Sequence, residues 1–229
     1  MYAVEVSRAL RPDLQEQLTA LCSPRRRARL ERFRHADDAR RSLMAEMLVR
    51  AAIGTEWPTD VASGELAFGH DRYGKPYLLG HPELHFNLSH SGRWCVCAVS
   101  TVPVGVDVEQ ARSMDLGWTD RFLSEEERED LRARDESDRL WRFYELWTRK
   151  ESYAKAVGRG LTPELLTVSV TEGDEEALAP YRIRSSRLDE SHPVAVCAAM
   201  PELRSDWTEW TPEGIAARVL RRSYMNERG

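Results

Sequence analysis

A short segment at residues 104–109 carries two acids at the spacing of a β-strand. Three valines alternate there with Gly105, Asp107 and Glu109. Side chains of a strand point alternately to its two faces, so we expect the valines on one face and both carboxylates on the other. Two acids on one face repel each other, and Asp is a poor strand former, so the pair favours a nearby cation. The alternative is a half-buried strand whose acids face water.

A second segment, residues 147–155, places Glu151 and Lys155 four positions apart on a predicted helix. Both lie on the stripe that carries the apolar residues of this helix, where charges are unusual. If folding brings Glu151 beside Asp107 and Glu109, the three carboxylates form a hard oxygen site of the kind that suits Mg²⁺. The alternative is an ordinary i, i+4 ion pair whose aliphatic stems cover apolar surface while the charged ends reach solvent.

These two segments are the most specific part of a wider resemblance. They follow residues 73–76, with the sequence Tyr-Gly-Lys-Pro, and residues 85–92, with His-Phe-Asn-Leu-Ser-His-Ser-Gly; a basic stretch at residues 23–42 contributes more weakly. In this order and at this spacing the motifs resemble those of the 4′-phosphopantetheinyl transferases, of the surfactin-synthetase-activating type. The resemblance implies transfer of phosphopantetheine from coenzyme A to a serine of an acyl or peptidyl carrier protein.

The same resemblance implies roles for the charged residues. Asp107, Glu109 and Glu151 are expected to hold Mg²⁺, and Glu151 to accept the proton of the carrier serine, directly or through a water. Lys155 is expected to contact the transferring phosphate, and Asp107 and Lys155 count with Glu151 as catalytic residues. The serine hydroxyl would attack the β-phosphorus of coenzyme A and release adenosine 3′,5′-bisphosphate. Such a reaction depends mainly on positioning and charge neutralisation.

Two other functions stay open at this point. One is a binding protein that keeps the carrier site without turnover, although the charged residues of the candidate site are all present. The other is Mg²⁺-dependent hydrolysis, in which water replaces the carrier serine. Cleavage of coenzyme A without a carrier protein would favour hydrolysis.

Coenzyme A is expected to be held by basic and hydroxyl side chains. The residues that the resemblance assigns to it are Arg26, Arg29, Ser42, Tyr73, Gly74, Lys75, Ser89, His90 and Lys155. The arginines suit the 3′-phosphate because their forked donors match its oxygens. The alternatives are a solvated basic helix face for the arginines and a hydrogen-bonded turn for Ser89 and His90.

The acceptor is expected to present an acidic helix with apolar spots, as carrier proteins of this kind generally do. The resemblance places its contact on the segment of residues 114–123, and residues 158–166 follow the catalytic helix. Residues 112–122 have mixed turn and helix signals. The side chains assigned to the contact are Met114, Leu116, Trp118, Phe122 and Leu123. Packing in the local core is the alternative for each of them.

The fold implied is α/β of the α+β type, with two similar lobes related by a pseudo-twofold axis and the active site in the cleft between them. Each lobe is expected to pack a long helix on a small, mainly antiparallel sheet. Residues 1–102 would form the N-terminal lobe on the coenzyme A side, and residues 103–229 the C-terminal lobe with the metal, catalytic and carrier-contacting residues. Glu46 and Arg50 have the charges and the spacing of Glu151 and Lys155, which indicates a weak internal repeat. The polar tail, residues 207–229, is expected to be peripheral.

Local patterns predict the elements that position these residues. Helices are expected at residues 14–21, at 36–53 with Gly54 as the stop, and at 137–157 with Gly158 as the stop. The strands are expected at residues 2–7, 66–68, 76–79, 84–88, 95–99, 104–109, 167–170, 181–184 and 194–199.

Composition excludes several classes of protein. The 229-residue chain carries a formal net charge of −5, which argues against a protein that binds nucleic acid regardless of sequence. No apolar run approaches the roughly 20 residues needed to span a bilayer, and the start lacks the apolar stretch of a signal peptide. The 4 cysteines fit neither a disulfide framework nor a zinc site and indicate buried free thiols. We therefore expect a cytoplasmic monomer without nucleic-acid or membrane partners.

Overall fold

The computed structural model describes residues 1–6, 10–57, 66–173 and 178–226. Its helices are α1 (Pro12–Ala20), α2 (Pro24–Leu30), α3 (Ala36–Glu56), α4 (Glu125–Arg132), α5 (Glu136–Val157), α6 (Pro163–Thr167) and α7 (Pro212–Asn226), and a 3₁₀-helix (Thr119–Phe122) precedes α4. Its strands are β1 (Tyr2–Glu5), β2 (Phe68–His70), β3 (Pro76–Leu78), β4 (His85–Ser91), β5 (Trp94–Ser100), β6 (Val104–Val108), β7 (Arg182–Asp189), β8 (His192–Ala198) and β9 (Thr208–Trp210). The predicted α+β class, with long helices and small, mainly antiparallel sheets, is confirmed.

The first of two compact units comprises Met1–Ala67, Leu88–Val99 and Trp207–Gly229. Its sheet has the strand order β4, β5, β1, β9. Strand β1 runs antiparallel to β5, with Tyr2 opposite Cys97, and parallel to β9. Helix α3 packs against β1 and α7 and buries an almost continuous apolar face.

The tail of the chain is not peripheral, and that prediction is wrong. Strand β9 adds an edge to the first sheet, and the rings of Tyr2 and Trp210 lie 4.3 Å apart. Helix α7 buries Ile215, Ala216 and Val219. Their i, i+1, i+4 spacing forms an apolar stripe within a polar sequence. Residues 207–226 therefore belong to the first unit, whereas the predicted division placed them in the lobe of residues 103–229.

The second unit comprises Phe68–Asn87 and Ser100–Asp206. Strands β2 and β3 form a small antiparallel hairpin, and an antiparallel sheet has the order β6, β8, β7. Helix α5 packs against β6 and β8. The core of this unit includes Phe143 and Leu146 from α5 and Ala195 and Cys197 from β8.

Strand β6 and helix α5 approach each other so closely at Gly105 that no side chain fits between them. A Cβ atom at Gly105 would lie 2.0 Å from the Ser152 carbonyl oxygen and 2.4 Å from the Ala156 nitrogen. The face of β6 that carries Gly105 and Asp107 is therefore covered by α5, and every residue of the strand is buried. The alternative of a half-buried strand with acids in water does not hold for Asp107.

Two helix ends differ in how well local signals predicted them. Gly158 ends α5 in the left-handed conformation with φ +77°, as predicted. Gly54 does not stop α3, which continues to Glu56. A glycine inside a helix costs only about 1 kcal/mol relative to alanine. The burial of Ile53 and the hydrogen bond from the Tyr2 hydroxyl to Glu56 favour the longer helix.

The strand predicted at residues 167–170 is not formed. Thr162 caps the start of α6, whose first residue is Pro163, so the chain is helical up to Thr167. The turn predicted at Ser89 is also displaced, because β4 continues to Ser91 and the positive φ lies at Gly92. Residue 7, the end of the first predicted strand, lies outside the described residues.

Two expectations from composition concern the whole chain. Across the described ranges, the structure has no helix that is long and apolar enough to cross a membrane. Cys22, Cys95, Cys97 and Cys197 are free and buried, as predicted.

We predict that Gly105→Ala destabilises the protein. The added methyl group would overlap the α5 backbone, and such overpacking costs about 1–3 kcal/mol. For a chain of this size the melting temperature should fall by roughly 2–4 °C for each kcal/mol. Thermal unfolding followed by circular dichroism measures the change, with Gly117→Ala as the control because its Cβ would meet only the exposed Asp115 side chain. An unchanged melting temperature for Gly105→Ala would contradict the close packing.

Candidate active site

The β6–α5 contact brings Asp107 and Lys155 together in the second unit. Asp107 is only 3% exposed. Its Oδ1 lies 2.5 Å from Lys155 Nζ, which also donates to the carbonyl oxygen of Val106 at 3.2 Å. Asp107 of the strand motif and Lys155 of the helix motif thus form one ion pair.

Glu151 lies one helical turn before Lys155 and is partly buried. Burial raises the pKa of the Glu151 carboxyl; the carboxylates of Asp107 and Glu109 raise it further, while the Lys155 ammonium lowers it. Glu109 directly follows β6, and its backbone N–H donates to Pro193. All three predicted metal ligands therefore share one electrostatic environment, in which negative charge on Glu151 is disfavoured.

The three carboxylates are not gathered into a metal centre. Within the part of the chain that the structure describes, no three Asp, Glu, His or Cys side chains stand close enough to hold a metal ion. The positive charge beside Asp107 is the ammonium of Lys155. The oxygen donors suit Mg²⁺ in kind, and a cation would relieve their mutual repulsion, but the side chains would have to draw closer to bind it.

Lys75 has a contact that the sequence did not indicate. Its ammonium donates to the carbonyl oxygens of Lys155 at 2.5 Å and Val104 at 3.2 Å. It therefore joins β6 to the last turn of α5, where carbonyl groups lack helical partners. Asp71 shapes the preceding turn by accepting from the backbone N–H groups of Tyr73 and Lys75.

The other residues assigned to coenzyme A lie mainly in the first unit. Arg26 donates to the hydroxyl and the carbonyl oxygen of Ser42, both at 2.8 Å, and to Glu46 at 2.7 Å. Arg29 is exposed on α2. These contacts place Arg26 and Ser42 side by side, with Glu46 as a partner that sequence reasoning missed.

Ser89 and His90 have different surroundings on β4. Ser89 is buried and His90 is exposed. Both are strand residues, so their side chains point to opposite faces of the sheet rather than into one turn.

The predicted carrier contacts divide into exposed and buried residues. Trp118 is 47% exposed and meets Phe122 edge to face at 5.5 Å. Met114 and Leu116 are partly buried against the core of the second unit. Leu123 is 4% exposed and belongs to that core, so its side chain is not available at the surface for a partner. Core packing, the alternative named for each residue, holds for Leu123.

Sequence reasoning also missed a buried ion pair beside Glu151. Lys150 Nζ lies 2.9 Å from Glu127 Oε2. Two signals could have indicated it: Lys150 belongs to the helix motif, and Ser124 and Glu127 have the spacing of a capping box, which the structure contains.

The chain matches the family described as the 4′-phosphopantetheinyl transferase superfamily over residues 103–197, and the family described as 4′-phosphopantetheinyl transferase, N-terminal, over residues 10–102. It is 37% identical to a 4′-phosphopantetheinyl transferase of Bacillus subtilis. The alignment of 210 residues covers 88% of this chain and 93% of the relative. It is 34% identical to the 4′-phosphopantetheinyl transferase Sfp of Bacillus subtilis strain 168. The alignment of 216 residues covers 91% of this chain and 96% of Sfp.

The chain therefore belongs to the 4′-phosphopantetheinyl transferase superfamily, and within it resembles Sfp. This confirms the resemblance inferred from the motifs. Members of the family transfer phosphopantetheine from coenzyme A to carrier proteins.

We predict that Glu151→Gln stabilises the metal-free protein at neutral pH. The folded-state pKa of Glu151 is raised, so its contribution to stability is greatest at low pH, below the unfolded-state pKa, and is lost as pH rises through the folded-state pKa. The glutamine side chain is neutral throughout, so the variant should melt higher than the parent at pH about 7–8, and the difference should shrink as pH falls to about 4–5. Melting temperatures in the presence of a chelator measure this.

The exposed Glu125 provides the control. Arg128 lowers the pKa of its carboxyl, so Glu125→Gln should give no such gain at neutral pH. A lower melting temperature for Glu151→Gln than for the parent at pH about 7–8 would contradict the electrostatic account of the site.

Proposed function

We propose that this protein transfers 4′-phosphopantetheine from coenzyme A to a serine of an apo acyl or peptidyl carrier protein and releases adenosine 3′,5′-bisphosphate, with Mg²⁺ as the metal. The observation that carries the proposal is the shared site of Asp107, Glu109, Glu151 and Lys155 in a chain of this family. Carriers of nonribosomal peptide and polyketide biosynthesis are the acceptors that we propose.

The metal would be held by Asp107, Glu109 and Glu151. When bound, Mg²⁺ would supply charge neutralisation for the pyrophosphate of coenzyme A. The support for this assignment is the chemistry of the donors and the surroundings of Glu151, whose pKa is raised first by burial and then by repulsion from Asp107 and Glu109.

Glu151 would act as the general base. Burial raises the pKa of the Glu151 carboxyl in the metal-free site, whereas a bound Mg²⁺ would lower it, so a water between the serine and the carboxylate would assist the proton transfer. The serine oxygen would bond to the β-phosphorus, the bond from that phosphorus to the bridging oxygen would break, and the electron pair would leave on adenosine 3′,5′-bisphosphate. The serine proton would pass to Glu151, directly or through a water.

Lys155 would stabilise the negative charge on the phosphates. Its ammonium already lies against Asp107 at the centre of the site. Because an ammonium has three donors, Lys155 could keep a carboxylate contact while it donates to a phosphate oxygen. Such a fixed positive charge stabilises the charge that develops on the leaving group.

We propose that coenzyme A uses the arginine-rich helix α2 for its 3′-phosphate. Arg26 and Ser42 are neighbours, and Arg29 offers an exposed guanidinium on the same helix. Tyr73, Gly74 and Lys75 are assigned to the nucleotide, and Ser89 and His90 to the phosphates. The Lys75 ammonium also donates to the backbone carbonyl oxygen of Lys155, so Lys75 would link coenzyme A to α5.

The carrier would dock on Trp118, Phe122, Met114 and Leu116. Arg121 lies over both aromatic rings, 5.4 Å from the centre of Trp118 and 4.7 Å from that of Phe122. This combination of exposed aromatic surface and positive charge complements an acidic helix with apolar spots. We propose that the protein acts as a cytoplasmic monomer.

We predict a chelator-sensitive adduct on an apo carrier protein. The intact mass of the carrier is measured after incubation with this protein, coenzyme A and Mg²⁺, and the addition of one phosphopantetheine group is expected. A chelator should abolish the adduct, and excess Mg²⁺ should restore it. A carrier whose acceptor serine is replaced by alanine is the control. No adduct on several folded carriers that bind the protein would reject transfer, and loss of coenzyme A without an adduct would indicate hydrolysis.

We predict that Glu151→Gln lowers turnover by about 100-fold or more, as removal of a general base usually does. The amide cannot accept the serine proton at neutral pH. Glu129→Gln, an exposed glutamate on α4, is the control and should leave turnover unchanged. Near-normal turnover of Glu151→Gln with unchanged metal binding would assign the base elsewhere.

A further inference from the structure

The ion pair of Lys150 and Glu127 lies directly beside the proposed base in the helix sequence. Its side chains are 1% and 0% exposed. A buried ion pair is weak grounds for stability, because the cost of taking two charges out of water offsets their attraction. The pair is therefore better explained by the positions that it imposes on its neighbours.

Lys150 directs all three of its ammonium donors at specific acceptors. Besides Glu127, its Nζ donates to the carbonyl oxygens of Leu166 at 3.0 Å and Val168 at 2.7 Å. An ammonium has three N–H groups, so these contacts use its full capacity. They fix the end of α6 and the segment after it to α5.

Glu127 uses both of its carboxylate oxygens in the same way. Oε2 accepts from the backbone N–H of Ser124 at 2.8 Å, which completes the capping box at the start of α4. Oε1 accepts from the backbone N–H of Val170 at 2.9 Å. The two side chains together thus join the first turn of α4, residues 166–170 and α5.

The segments joined in this way face each other across a surface groove of about 470 Å³. One wall includes Arg121 and Ser124, and the other includes Pro163 and Leu166. Ser124 and Leu166 are themselves bonded to the ion pair. The first wall continues directly from the proposed carrier contact at Trp118, and the second follows the catalytic helix.

We propose that the Lys150–Glu127 pair is a positioning element for carrier recognition. It holds both walls of the groove at fixed places relative to the helix that bears Glu151, so that a docked carrier presents its serine to the base. The inference rests on the proposed function, because it concerns the carrier substrate of that reaction. None of the residues assigned to coenzyme A lines the groove, so its recognition should not depend on the groove walls that the pair holds.

Apolar side chains of similar volume could fill the space of the pair but not replace its hydrogen bonds. The carbonyls of Leu166 and Val168 and the amide of Val170 would lose their partners. Buried backbone groups without partners are costly, so these segments would shift until they found others. Loss of the pair should therefore move the groove walls as well as alter stability.

The test is the double variant Lys150→Met with Glu127→Met, which removes both charges and their hydrogen bonds together and leaves no lone buried charge. Steady-state kinetics give kcat and the KM for an apo carrier and for coenzyme A, and circular dichroism checks the fold. We expect the KM for the carrier to rise about tenfold or more, because displaced groove walls would lose contacts with the docked carrier and a tenfold loss of affinity corresponds to only about 1.4 kcal/mol. The KM for coenzyme A should stay unchanged.

Arg134→Met is the matched control, because it removes an exposed ion pair of 3.0 Å to Asp130, which lies on the same helix as Glu127. It should change neither KM. A folded double variant with the parent's KM for the carrier would overturn the inference, and so would equal increases in both KM values. Absence of transfer by the parent in the same assay would instead reject the proposed function.

Hydrogen exchange on the unaltered protein provides a second measurement if the double variant does not fold. Addition of an apo carrier without coenzyme A should increase protection of backbone amides in residues 124–127 and 163–170. Helix α7 serves as the internal control and should show no change. Carrier binding without added protection in either segment would overturn the positioning role.

Discussion

The backbone contact between β6 and α5 at Gly105 is the constraint on which the site depends. With no side chain between them, the strand and the helix come within reach of each other's polar groups, and Lys155 meets both Asp107 and the carbonyl of Val106. Lys75 then bridges the same two elements from a third segment. A larger residue at position 105 would move Asp107 on β6 away from Lys155 on α5.

Helix α5 combines stability and chemistry by directing different faces to different partners. Phe143 and Leu146 contribute apolar burial to the core. Lys150 reaches the segment after α6, whereas Glu151 and Lys155 face the acids of β6. The charges of the site are thus held on an element that the core already orders, which suits a reaction that depends on positioning.

Local patterns predicted the elements of the site but not its tertiary partners. The alternation at residues 104–109 and the spacing of Glu151 and Lys155 gave the correct strand and helix, because both signals are periodic and short in range. The contact of Lys75 with Lys155 and the pairing of Lys150 with Glu127 join residues far apart in sequence. The strand and helix of the tail went unrecognised because their burial depends on partners at the other end of the chain.

The internal repeat places different residues at equivalent positions of the two halves. In both sheets the first strand pairs antiparallel with a valine–cysteine–alanine strand: Tyr2 lies opposite Cys97 in the first unit, and Gly105 opposite Cys197 in the second. At the repeat position of Asp107, the first unit has Val4. At the repeat position of Gly105 the first unit has Tyr2, whose hydroxyl donates to Glu56, and Glu46 is paired with Arg26 and Arg50. The two halves share a framework, and a glycine and an aspartate give one of them the partly buried ion pair of the candidate site.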